Sequence, residues 1–93
     1  MDPAVVQSSA DLGLVIRARR RELGLDQHEL AAMVGTSRQW VLGIEKGKDR
    51  ANAGLLLRTL RALGLMVVVQ PMPALPSGDP IDIDRVIEQA RTP

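Results

Sequence analysis

Arg38 and Gln39 stand side by side in the run Ser37-Arg38-Gln39-Trp40, and three cations follow at Lys46, Lys48 and Arg50. A guanidinium offers a rigid pair of donors that matches O6 and N7 of guanine, and a carboxamide matches N6 and N7 of adenine. Lysine and arginine beside such a pair suit phosphate oxygens, which fix register without reading sequence. Other chemistries are poorly provided for. The chain has no cysteine and a single histidine, His28, so neither a thiolate metal site nor a nucleophile with a base partner is on offer. No glycine-rich phosphate loop occurs, and 93 residues are too few to enclose a substrate pocket of ordinary size. Neither an enzymatic activity nor a cofactor is expected.

These residues need a frame to hold them, and cap signals supply one. Ser8 with Asp11 three residues later opens a first helix, with Leu12, Ile16 and Leu23 as its apolar stripe and Gly24 closing it. Asp26 caps a second helix through Leu30, Ala31 and Val34, which Gly35 ends. Ser37 caps a third from Arg38 to about Lys46, with Val41 and Ile44 inward. The run 47–51 reads as a polar loop, and Asn52 caps a fourth helix whose Leu56, Leu60 and Leu63 recur at helical spacing before Gly64. The fold class expected is all-α, a domain over 8–64.

Leu65, Met66, Val67, Val68 and Val69, with Gln70, form a continuous β-prone run, read as a strand over 65–70. A lone strand leaves its backbone groups unpaired, and no second strand candidate exists in the chain. The same strand of another copy is the simplest partner, which makes these five residues the dimerisation segment of a homodimer; a helical or disordered extension is the alternative. Pro71, Pro73, Pro76 and Pro80 then mark a linker. A short helix over 81–91, with Ile83, Val86 and Ile87 on one side, is marginal by itself.

Net charge is +1, but it is unevenly placed. Between Leu12 and Arg61 ten Lys or Arg face five Asp or Glu, while the remainder holds two basic and six acidic residues. A basic middle suits a polyanion. Met1 to Ala10 lacks the pattern of a secretory signal, and the apolar run 63–69 is far shorter than a membrane span, so a cytoplasmic protein is expected.

Gln27 to Lys46, QHELAAMVGTSRQWVLGIEK, holds two helices joined by a glycine turn, with small Ala31 where they must cross. A helix-turn-helix motif demands this combination, because its second helix must stand proud enough to enter a major groove. The stretches Leu25-Asp26-Gln27-His28-Glu29-Leu30-Ala31, Gly35-Thr36-Ser37 and Ile44-Glu45-Lys46-Gly47 resemble the lambda-repressor-like (XRE) helix-turn-helix family over roughly Leu12 to Leu65. Asp26 replaces the usual threonine cap and Thr36 a commonly apolar position. The resemblance implies a phosphate contact for Gln27 and base-edge contacts for Ser37, Arg38 and Gln39. Trp40 then faces outward toward a thymine methyl or the sugar-phosphate wall, with core or dimer anchoring as the alternative. Lys46, Lys48 and Arg50 follow as phosphate holders. Gly43, at a cost of about 1 kcal/mol relative to alanine in mid-helix, either lets DNA approach closely or reads nothing; we favour the second. The cluster Arg17 to Arg21 is either a DNA-facing patch or a solvated helix face. Glu29 and Glu45 read as structural, and His28 as solvated.

A four-helix XRE domain followed by Leu-Gly-Leu, a short apolar strand and the wording Ser-Arg-Gln-Trp-Val also looks like the HipB antitoxins. That resemblance implies a dimer that binds a palindromic operator in double-stranded DNA, represses its own operon and restrains a HipA-like Ser/Thr kinase toxin. A stand-alone repressor without a toxin partner is the alternative, and a pure interaction module that has lost its groove contacts is a third reading.

Overall fold

The computed structural model describes residues 1–73. Four helices follow one another within them: α1 (Ser9–Glu22), α2 (Gln27–Val34), α3 (Arg38–Glu45) and α4 (Ala53–Ala62). Each begins where a short side chain accepts a backbone N–H three residues on. Ser8 Oγ takes that of Asp11 at 3.1 Å, Asp26 Oδ1 that of Glu29 at 2.7 Å, Ser37 Oγ that of Trp40 at 3.1 Å and Asn52 Oδ1 that of Leu55 at 3.0 Å. Every such bond satisfies a donor that the first turn otherwise leaves unpaired. At α2 the reciprocal bond forms as well, the Asp26 N–H donating to Glu29 Oε1 at 3.1 Å. At α1 the Asp11 carboxylate reaches one residue further back, to the Gln7 N–H at 3.1 Å.

The core is built from Ile16, Leu30, Ala31, Val34, Val41, Ile44, Leu60 and Leu63. α2 packs against both α3 and α4, and α1 lies on α3. The expected stripes hold with two revisions. α1 closes at Gly24 as expected, with Leu23 as its C-cap, but Leu23 is 44% exposed and does not join the core. Thr59 is buried instead, its hydroxyl donating to the Leu55 carbonyl at 2.8 Å, so the buried oxygen is not left unpaired. α1 lies close against the backbone of α3 at Gly13. A Cβ there would stand 2.5 Å from the Ile44 carbonyl oxygen and 2.6 Å from that of Glu45.

Past α4 the chain turns at Gly64, and the Leu65 N–H returns to the Leu60 carbonyl at 2.8 Å. This is a Schellman closure, in which the residue after the glycine packs back on the helix. Leu65 does so, against the core. The strand expected over 65–70 is not formed within the chain, where no helix or strand follows α4 among the described residues. A ladder requires a neighbouring strand, and no other described segment is one. Met66, Val67, Val68 and Val69 instead stand exposed, Val69 at 93%. The linker from residue 74 onward and the helix expected over 81–91 lie outside the described residues. No described helix is long and apolar enough to cross a membrane.

Candidate nucleic-acid interface

α2 and α3 are joined by Gly35-Thr36-Ser37, a turn short enough to force a sharp change of direction. Gly35 supplies it with φ +82°, a left-handed conformation that a side chain would strain. Its N–H and that of Thr36 both donate to the Ala31 carbonyl at 2.9 Å, which closes α2 before Ser37 starts α3. Arg58 Nη1 adds a bond to the last α2 carbonyl, Val34, at 3.3 Å. α3 is thus held at both ends of its rear face, Val41 and Ile44 being 1% and 4% exposed. Its first turn projects outward, with Arg38 and Gln39 exposed.

The expected site residues divide into three groups. Arg38, Gln39, Lys46, Lys48 and Arg50 are exposed, and none of their side chains enters a hydrogen bond or ion pair with another described residue. Ser37 is exposed at the same end, but its hydroxyl oxygen is taken as acceptor by the cap. Gln27 and Trp40 are each partly committed to the fold. Gln27 Nε2 donates to Glu45 Oε1 at 3.3 Å; a carboxamide nitrogen carries two hydrogens, so one donor is left over. Trp40 is half-buried and packs against the core, because it lies four residues before Ile44 and shares that side of the helix. Its outward placement therefore holds for only part of the indole.

The arginines of α1 separate in the same manner. Arg20 is buried and grips Glu45 with two bonds, Nε to Oε2 at 2.7 Å and Nη2 to Oε1 at 3.0 Å, while Nη1 donates to the Leu25 carbonyl at 2.9 Å. The hydrogen bond to Glu45 raises the Arg20 guanidinium pKa above its ordinary value. This clamp ties α1 to the C-terminal end of α3, and a two-point fork fixes direction as well as distance. Arg19 is spent elsewhere: Nε donates to the Leu63 carbonyl at 2.9 Å and Nη1 to Glu22 at 3.3 Å. Arg17 and Arg21 remain, and with Arg38 and Lys46 they line a concavity of about 580 Å³ between α1, α3 and the start of α2, where Asp26, Gln27 and His28 also line it. Sequence reasoning left this cluster undecided. The four-residue spacing of Arg17 and Arg21 was the available signal, whereas nothing local distinguishes Arg20, whose partner is 25 residues away.

The profile of a helix-turn-helix domain family matches residues 11–70. The chain belongs to that family. Among relatives of this helix-turn-helix chain is the uncharacterised HTH-type transcriptional regulator y4mF of Sinorhizobium fredii, 34% identical over 62 residues that cover 67% of this chain and 82% of that protein. An uncharacterised HTH-type regulator of Methanothermobacter thermautotrophicus is 48% identical over 50 residues, covering 54% and 72% respectively. HipB in a complex with an O4 20-mer superposes with a TM-score of 0.71 at 20% identity, over 76% of this chain and 100% of HipB. The clp gene regulator ClgR of C. glutamicum superposes at 0.61 with 26% identity, over 71% and 85%. The helix-turn-helix chain therefore shares its four-helix fold with HipB.

Proposed function

We propose that this chain is a sequence-specific DNA-binding repressor that acts as a homodimer and is the antitoxin of a HipBA-like toxin–antitoxin module. The observation that carries DNA reading is the first turn of α3, where Arg38 and Gln39 are exposed and unengaged on a helix whose rear face is locked into the core. Pre-organised donors on a rigid helix suit the major groove. Arg38 is assigned to guanine and Gln39 to adenine, with part of Trp40 on the adjoining wall. Ser37 stands at the base edge through its hydroxyl hydrogen, and Gln27 offers its remaining N–H to a phosphate. Lys46, Lys48 and Arg50 hold phosphates on the far side. Two copies joined through residues 65–70 would set two such helices on a palindrome. The antitoxin assignment is supported by the fold shared with HipB, which is also found in a HipA–HipB–O2–O3 complex, and by the resemblance of the recognition-helix wording. The partner is then a HipA-like Ser/Thr kinase.

The test is selection of duplexes from a random pool, followed by binding of wild type and Arg38→Ala to the selected and a scrambled duplex. A palindromic winner, with Arg38→Ala losing about 1–3 kcal/mol on the selected duplex only, supports base reading. An equal loss on both would remove Arg38 from that role. Co-purification from the native cell separates the modules: a kinase retained with the DNA supports the antitoxin, and DNA without a second protein points to a stand-alone repressor.

A further inference from the structure

We propose that the concavity between α1 and α3 is an additional seat for the DNA backbone, in which Arg17 and Arg21 hold a phosphate outside the bases facing Arg38. The inference rests on the DNA-reading proposal above and extends it to a helix outside the two-helix motif. Arg17 and Arg21 are four residues apart and so emerge on one side of α1. Both are exposed and both line the concavity that Arg38 and Lys46 also line. Among the described residues neither makes an ion pair.

The carboxylates on this surface do not cancel them. Glu45 is paired with Arg20 at 2.7 Å, which leaves Asp26, the N-cap of α2 and still negatively charged, as the one other carboxylate of the lining. The residual charge is that of Arg17, Arg21, Arg38 and Lys46 against a capped Asp26, a concentration that attracts a polyanion. Continuity decides which polyanion. Arg38 belongs both to this concavity and to the reading turn of α3, so a strand passing the reading turn runs into the arginines of α1. Phosphates recur along each strand at about 3.4 Å per step, which leaves one within reach of a pair of long side chains.

The experiment compares wild type, Arg17→Gln/Arg21→Gln and Arg17→Lys/Arg21→Lys on the selected and scrambled duplexes, by fluorescence anisotropy from about 50 to 200 mM salt. The glutamine pair is expected to lower affinity for both duplexes by the same factor and to flatten the log–log salt slope by about 1 to 2. The lysine pair, which keeps the charges, recovers the slope. Thermal unfolding of all three proteins coincides, since neither arginine is buried. An unchanged salt slope overturns the seat while operator reading by α3 stands, and a loss confined to the selected duplex overturns it in favour of base contact. Wild type that binds neither duplex removes both proposals together. Inhibition by free inorganic phosphate at millimolar level, without any change in the DNA salt slope, identifies a small-anion site and also overturns it.

Discussion

Two glycines show how differently the same residue can be used within one core. Gly13 is where α1 touches the backbone of α3, and a methyl group there meets two carbonyl oxygens at 2.5 and 2.6 Å. Gly43 lies within α3, and a methyl group there meets only the Lys48 side chain at 3.5 Å, an ordinary contact. Gly13→Ala should therefore destabilise by about 1–3 kcal/mol, through overpacking against backbone that cannot rotate away. Gly43→Ala should stabilise by about 0.5–1 kcal/mol, because it limits the unfolded chain without crowding the folded one. Urea unfolding of the two variants checks both signs, and equal effects would refute the distinction. The sequence disclosed only half of this. Gly43 stood out because a mid-helix glycine is locally unfavourable, but Gly13 passed unremarked, since a close crossing depends on a partner some thirty residues onward. The Arg20–Glu45 clamp was hidden for the same reason: the types were noticed, and the pairing was set by how α1 lies across α3.

Helices were more legible than their contacts. Every N-cap was read correctly because the cap is a three-residue arrangement that the chain carries with it. The polar loop expected over 47–51 hid a further closure, with the Lys48 N–H returning to the Gly43 carbonyl at 3.1 Å. The α2 cap has a consequence for acid stability. The Glu29 N–H bound to the Asp26 carboxylate holds its pKa below the ordinary 3.8. A carboxyl depressed by folding stabilises the native state above its unfolded pKa, and that contribution is lost as pH falls from there through the folded value. Asp26→Asn keeps an oxygen for the cap and removes the titration. The urea midpoints of wild type and Asp26→Asn should differ at neutral pH and converge below the ordinary carboxylate range. A gap that persists unchanged into acid would show that the charge is irrelevant to the cap.

The whole molecule is shaped by what the four helices leave uncovered. Met66, Val67, Val68 and Val69 are exposed on a segment whose start, Leu65, is fixed to α4. A contiguous apolar run on one chain is what a second copy would cover. Val67→Asp/Val68→Asp places a charge on each face of a strand and touches nothing in the described core. If residues 65–70 join two copies as proposed, sedimentation should report a dimer for wild type and a monomer for the variant, with the helical circular dichroism signal retained. A dimer that survives both charges would exclude the ribbon. The length of α3 would give the proposed pairing a purpose. Eight residues at about 1.5 Å each make a rod of roughly 12 Å, the length of about three or four base pairs. A four-letter word recurs by chance about once in every 256 positions, whereas a bacterial-sized genome presents on the order of a million or more competing sites. One copy of this domain could spell a syllable but not an address. Reciting its short word twice, in opposite directions and at a fixed distance, would thin the chance matches from about one in 256 positions to about one in 65,000, which a single copy cannot do.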